Sequence, residues 1–99
     1  MKILEKIIKE SISNNKYKRG IKEVKSNIKG SKLLILSNTV NSKDKRFIET
    51  QASEYNVPIY YLQENSVKLG RLFNKSYRIS SVSLKNIQDE DIKELMQNQ

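Results

Sequence analysis

Apolar residues recur at helical spacing near both ends of the chain, with charged residues between them. The first stripe consists of Ile3, Leu4, Ile7, Ile8 and Ile12. The second stripe consists of Ile92, Leu95 and Met96, in a segment that begins with acidic residues suited to the positive end of a helix dipole. Each stripe is typical of an amphipathic helix, so helices are predicted over residues 3–12 and 89–96.

Two further helices are predicted in the first half of the chain. One begins at Gly20 and ends at Gly30, a residue suited to the C-cap. Its inward side chains are Ile21, Val24 and Ile28. The other begins after Asn41, which can cap a helix that has Asp44 at its third position, and it ends at Asn56. Its shared apolar face is predicted to hold Phe47, Ile48, Gln51, Ala52 and Tyr55.

The strands follow from short apolar or β-branched runs. Residues 33–36 are apolar without interruption, which favours a strand buried on both faces with parallel neighbours. Pro58 can begin a strand over residues 58–62, because its missing N–H is tolerated there. Residues 77–84 suit a last strand, and residues 16–18 could form a short extended segment.

A short helix is predicted between the last two strands. Ser66 is its expected cap, and Asn74 can end it in the left-handed conformation. Leu69, Leu72 and Phe73 are expected in the core, while Gly70 would let the backbone pass close to a neighbour. Helices thus alternate with strands, and residues 33–62 predict a right-handed crossover. We expect one α/β domain over residues 1–99, a three-layer α/β/α sandwich with a four-stranded mixed sheet.

Positive charge is concentrated in the first half of the chain. The formal net charge is +8, from 19 basic and 11 acidic residues. Residues 1–50 hold 13 basic and 5 acidic residues, whereas residues 51–99 hold 6 of each. The densest basic segment contains Lys16, Lys18, Arg19, Lys22, Lys25, Lys29 and Lys32. Such an excess favours a polyanionic partner, RNA, DNA or an anionic membrane, although a basic run can also be a solvated face.

Two residue types that the chain lacks make several classes of function less expected. The chain contains neither cysteine nor histidine, the usual thiolate and imidazole groups of catalytic and zinc sites. We therefore expect no enzyme, no metal and no cofactor; lysine or carboxylate chemistry in a cleft at a strand end is the enzymatic alternative. No apolar run approaches the ~20 residues of a membrane span, and the first helix lacks aromatic anchors. A soluble cytoplasmic protein is expected.

Three segments could contact RNA. Gly20 at a helix start, preceded by Lys18 and Arg19, would place backbone N–H groups beside two cations, although it could be an ordinary turn glycine. Asn38 and Thr39 follow a buried strand and could read base edges or simply cap the next helix. In a third segment, Tyr77 and Arg78 offer a stacking pair, unless the tyrosine belongs to the core.

Four segments in order resemble the ribosomal protein L30e family, a large-subunit branch of the L7Ae superfamily. They are residues 20–25 (GIKEVK), 32–39 (KLLILSNT), 57–60 (VPIY) and 66–70 (SVKLG). Their order and spacing match over nearly the whole chain. The resemblance implies an α/β/α sandwich that binds kink-turn RNA.

The resemblance also implies roles for individual residues. Gly20 and Lys22 would meet the RNA backbone and bases, with Glu23 beside the tandem sheared G·A pairs. Asn38 and Thr39 would contact the same region. Further contacts, implied by the resemblance or by the basic segment, are Lys18, Arg19, Lys25, Lys43, Tyr77 and Arg78. Residues 77–79 (YRI) resemble a Phe-Arg-Val stretch of the family, whose aromatic ring packs on an RNA base.

The family resemblance also implies partners and a location. We expect the chain to bind a kink-turn of large-subunit ribosomal RNA next to other ribosomal proteins, in the cytoplasm, and to be monomeric off the ribosome. Lysine at position 22, where box C/D-type relatives carry asparagine, favours the ribosomal branch. A kink-turn protein that acts on a guide RNA or an mRNA is the alternative. Two departures from the family pattern are a shorter loop at residues 29–31 and Asn74 in place of a frequent glycine.

Overall fold

A computed structural model describes residues 2–97 and contains helices on both faces of one sheet. Its elements in chain order are α1 (Lys2–Asn14), β1 (Tyr17–Arg19), α2 (Ile21–Ser26), β2 (Leu33–Leu36), α3 (Ser42–Glu54), β3 (Ile59–Tyr61), α4 (Ser66–Leu72), β4 (Ser81–Leu84) and α5 (Asp89–Gln97). The helical periodicity and the apolar run at residues 33–36 therefore predicted the right elements, with differences at their ends.

The sheet has the strand order β1-β4-β2-β3. Leu34 of β2 lies opposite Ile59 of the parallel strand β3 and opposite Ser83 of the antiparallel strand β4. The prediction of parallel neighbours for β2 is thus right on one side only, because β3 runs parallel to β2 and β4 runs antiparallel to it. One end of the sheet therefore holds the carboxyl ends of β1, β2 and β3 and the amino end of β4. We call it the Gly20 end.

Two apolar clusters, one on each face of the sheet, confirm the predicted sandwich with a four-stranded mixed sheet. On one face α1, α4 and α5 pack over the sheet through residues that include Ile7, Phe73 and Leu95. On the other face α2 and α3 contribute Val24 and Ile48. Each strand face is covered because strand side chains alternate between the two layers.

Two helix caps differ from the predictions. Helix α2 ends at Ser26 with Asn27 as its C-cap, so the assignment of that cap to Gly30 was wrong. Gly30 instead has a φ of +90° in the turn that leads to β2. Helix α4 is capped by Asn65, whose side chain accepts the N–H of Lys68 at 3.1 Å, and not by Ser66. Ser66 is buried within the first turn.

The segment before β4 lies against α4 and outside the sheet, although a strand was predicted from residue 77. The Ile79 N–H donates to the Ser66 carbonyl at 3.0 Å, so the segment pairs with a helix end and not with a strand. A Cβ on Gly70 would overlap the carbonyl of Tyr77. The expected close backbone approach at Gly70 is confirmed, as is the left-handed Asn74, with a φ of +59°.

Helix α3 begins as predicted, but its apolar residues divide between the core and the surface. The Asn41 side chain accepts the N–H of Asp44 at 2.8 Å, which confirms the cap. Ile48 is buried, whereas Phe47 is 44% exposed and Tyr55 is 40% exposed. The prediction that both rings share one face with Ile48 is therefore wrong, because Phe47 points about 100° away from its neighbour Ile48 and Tyr55 lies beyond the last residue of α3.

Candidate nucleic-acid interface

The carbonyls of Ser80 and Ser81, at the start of β4, accept hydrogen bonds that bring the predicted RNA-binding segments together at the Gly20 end. The Ser80 carbonyl accepts both the N–H of Ser37 at 2.9 Å and its hydroxyl at 2.8 Å. The next carbonyl, that of Ser81, accepts the N–H of Gly20 at 2.8 Å. The segment that follows Tyr77 is therefore hydrogen-bonded both to the loop after β2 and to the start of α2.

Gly20 adopts a conformation that only glycine tolerates well. Its φ of +94° and ψ of 151° lie in a region that costs other residues about 1–3 kcal/mol. Its own N–H donates to the Ser81 carbonyl and is not available to an anion, so only the following N–H groups of α2 could meet one. No side chain caps α2, and nothing lies within 4 Å of the position a Cβ would take. The backbone at Gly20 is therefore open to close approach from outside.

Tyr77 is paired with a cation from the other half of the chain. The guanidinium of Arg19 lies 5.4 Å from the centre of the Tyr77 ring, within the range of a cation–π contact. Arg19 was not predicted from the sequence as a neighbour of this ring, whereas Tyr77 and Arg78 remain the predicted stacking pair for RNA bases. The Tyr77 side chain is 47% exposed, which leaves ring surface available for stacking.

The loop after β2 has a fixed backbone and exposed polar side chains. The Asn38 N–H donates to the Glu64 carbonyl at 2.9 Å. The hydroxyls of Thr39 and Ser37 are 2.8 Å apart and share a hydrogen bond. Asn38 and Thr39 are both exposed, so the Asn38 amide can meet a ligand while its backbone stays in place.

The predicted cationic side chains differ in how far acidic groups of the protein already neutralise their charge. Lys18, Lys22, Lys43 and Arg78 are exposed, and so is the acidic residue Glu23. Lys25 is different, because it is half-buried and forms an ion pair with Asp44 of α3.

This ion pair also affects the acid. The hydrogen bond from Lys25 holds the pKa of Asp44 below its usual value. Within the protein, therefore, the charge of Lys25 is already partly neutralised.

Ser80 was not predicted from the sequence, and Ser37 lies within the family-like segment 32–39 but was given no positioning role there. Ser37 is buried although it follows the last residue of β2, and its hydroxyl bonds to a backbone carbonyl. The signal that could have identified it is a serine directly after four apolar residues. A buried hydroxyl at such a point needs a partner, and a neighbouring strand end can provide one.

The structure offers no support for a metal site or a membrane span within residues 2–97. No group of three or more acidic residues there is placed to hold a metal ion. No helix in the same range is long and apolar enough to cross a membrane.

Comparisons with known proteins identify a family and a shared fold. Residues 1–94 match the ribosomal protein L7Ae/L30e/S12e/Gadd45 family. The large ribosomal subunit protein eL30 of Triticum aestivum is 32% identical over 83 residues, which cover 82% of this chain and 74% of that protein.

Two solved structures resemble the fold. A protein of unknown function from Bacillus halodurans matches with a TM-score of 0.74 at 17% identity, covering 94% of this chain and 92% of that one. The Giardia lamblia 15.5kD RNA binding protein matches with a TM-score of 0.75 at 19% identity, covering 97% of this chain and 83% of that one.

Proposed function

The chain belongs to the ribosomal protein L7Ae/L30e/S12e/Gadd45 family, and from this premise we propose that it is a structural constituent of the large ribosomal subunit that binds a kink-turn in large-subunit ribosomal RNA. The similarity to a large-subunit protein supports the ribosomal part of the proposal. The observation that carries the RNA site is the convergence of Gly20, Asn38 and Tyr77 at one end of the sheet.

Each part of this site has a distinct role in the proposal. Lys18, Lys22, Lys43 and Arg78 would contact phosphates around the kink. The open backbone at Gly20 would let the RNA approach the start of α2 closely. Glu23 and Asn38, with Thr39, would meet base edges that a kink exposes, because Watson–Crick pairs in an A-form helix are hard to reach.

A base would stack on the exposed part of the Tyr77 ring, beside the guanidinium of Arg19. The role is one of binding and not of catalysis. We further propose that the chain acts in the cytoplasm, on the ribosome next to other ribosomal proteins, and is monomeric when free.

Binding of a kink-turn RNA, compared with a straight duplex of the same length, tests the proposal. We expect tighter binding to the kink-turn and a log K that falls against log salt by ~0.7 to 0.9 for each phosphate contact. Replacing Lys22 with alanine should weaken binding and reduce this slope by about one contact, whereas Lys93→Ala on α5 should leave both unchanged. Equal binding of the two RNAs would contradict a kink-turn site.

Sedimentation distinguishes the ribosomal role from action on a guide RNA or an mRNA. A ribosomal constituent should stay with large subunits after a wash in high salt. Release from the subunits, together with intact kink-turn binding, would favour the non-ribosomal alternative.

A further inference from the structure

A second basic surface with exposed aromatic rings lies between α2 and α3. Lys43, Arg46 and Phe47 of α3 line an open groove together with Lys25 of α2. The Lys25 Nζ lies 5.3 Å from the centre of the Phe47 ring. We refer to these four residues as the α2–α3 groove.

The same arrangement continues further along α3. The Nζ of Lys29, in the turn after α2, lies 5.9 Å from the centre of the Tyr55 ring. Phe47 lies within α3 and Tyr55 directly follows its last residue, and each ring lies next to a lysine of the α2 segment. Two aromatic rings, each with a lysine over it, therefore form a row beside α2.

The core does not account for these rings. Phe47 is 44% exposed, so much of the stabilisation that burial of a phenylalanine ring would provide is not used by the fold. Ile48 and Ala52 already cover the sheet from α3. An exposed ring among cations is a feature of surfaces that bind another molecule.

Charge identifies the class of that molecule. The acidic residue that contacts the α2–α3 groove, Asp44, is paired with Lys25, so Lys43 and Arg46 leave the groove positive. Lysine is depleted at protein–protein interfaces. Cations beside aromatic rings are what unpaired nucleic acid uses, with phosphates along the cations and bases on the rings.

The groove is also continuous with the proposed kink-turn site. Helices α2 and α3 both begin after strands that end at the Gly20 end, and Lys43 lies in the first turn of α3. From Lys43 to Tyr55 the helix rises about 18 Å, away from that end. A strand that leaves the kink-turn could therefore follow the groove.

We propose that the α2–α3 groove binds unpaired nucleotides that flank the kink-turn, with a base stacked on Phe47 and phosphates on Arg46 and Lys43. This inference rests on the proposed function, because it extends the same RNA beyond the kink. Lys43 would serve both parts of the surface.

Three RNAs, two groove variants and one control variant test it. The RNAs are a blunt kink-turn and the same kink-turn with a ten-uridine tail on one strand or the other. One tailed RNA should bind the wild-type protein at least about fivefold more tightly than the blunt RNA. Phe47→Ala and Arg46→Gln should remove this gain and leave affinity for the blunt RNA unchanged, whereas Lys93→Gln should alter neither.

A crosslink reports on the groove independently of affinity. With 4-thiouridine in the tail, ultraviolet crosslinks should map to the α3 peptide that contains Phe47. Circular dichroism should show that Phe47→Ala is folded, because the side chain is half exposed.

Each failure has a separate meaning. Equal affinity for blunt and tailed RNAs, or a gain that survives Phe47→Ala, would overturn the groove assignment. Binding of poly-glutamate in competition with the uridine tail, lost in Phe47→Ala, would assign the groove to an acidic protein instead. If the kink-turn is not bound but free ten-uridine RNA is, and Phe47→Ala loses it, the proposed function fails while the groove assignment stands.

Discussion

The guanidinium of Arg19 lies over the ring of Tyr77 at 5.4 Å, although the two residues come from opposite halves of the chain. They meet because β1 pairs with β4 in antiparallel register, with Arg19 opposite Val82. The pairing joins the most basic segment of the sequence to the aromatic residue that the family resemblance marks as a base platform. The exposed part of the ring therefore lies among cations.

Removal of the Tyr77 ring should weaken kink-turn binding. Tyr77→Ala is expected to lose about 1–3 kcal/mol of binding free energy, the usual contribution of one stacked base. Tyr77→Phe keeps the ring and the contact with Arg19, so its Kd should remain close to that of the wild type. Titration of each variant with kink-turn RNA measures the difference. If phenylalanine binds as poorly as alanine, the hydroxyl and not the ring face is what the RNA contacts.

Gly20 and Gly30 form a matched pair for separating strain from binding. Both have a positive φ and nothing within 4 Å of the position a Cβ would take, so alanine at either site should destabilise the fold by about 1–3 kcal/mol through backbone strain alone. Urea unfolding measures this cost. Only Gly20→Ala should also weaken RNA binding under conditions where both variants are folded, because its Cβ would occupy the open approach to α2. Equal RNA affinity of the two variants would remove Gly20 from the site.

The fold was predictable wherever periodicity and burial agree. The apolar run at residues 33–36 became β2 without change, and Asn41 capped α3 as its sequence context predicts. The strand predicted from residue 77 was too long, because β-branched and aromatic residues also suit an extended segment that packs on a helix. Local propensity does not reveal that Ile79 would pair with Ser66.

The candidate site was predictable as a set of segments but not as a geometry. Positive charge and a glycine at a helix start indicated Gly20, and the loop after a buried strand indicated Asn38. The partners of these segments depend on which strands become neighbours, and β4 lies between β1 and β2 in the sheet. No local pattern encodes that order, so the hydrogen bonds that the Ser80 and Ser81 carbonyls accept from Ser37 and Gly20 could not be predicted from the sequence.

A side chain at position 70 should displace the backbone of Tyr77. The Cβ of Gly70→Ala would overlap the Tyr77 carbonyl, and because that atom is backbone the whole segment must shift. We expect a loss of about 1–3 kcal/mol in the free energy of unfolding, as for other overpacked sites, together with weaker kink-turn binding. Lys68→Ala, at an exposed position of the same helix, is the control and should change neither quantity. A Gly70→Ala protein with unchanged stability would show that the contact is not tight.

The hydroxyl of Tyr61 donates a hydrogen bond to the carboxylate of Glu49, and this pair should be visible in alkaline titration. Burial, and then this bond and the carboxylate charge, raise the pKa of Tyr61 to about 12, from an ordinary value near 10. A raised pKa stabilises the fold fully below about pH 10, and this contribution is lost as the pH rises through about 12.

Tyr61→Phe should therefore remove the tyrosinate absorbance step near pH 12, and its free energy of unfolding should approach that of the wild type between about pH 10 and 12. Glu49→Gln removes the negative charge but keeps an acceptor, so the step should move to lower pH and remain. Glu54→Gln, an exposed acid at the end of the same helix, should leave the titration unchanged. If the titration curve of Tyr61→Phe still contains the absorbance step at the highest pH, that step belongs to another tyrosine.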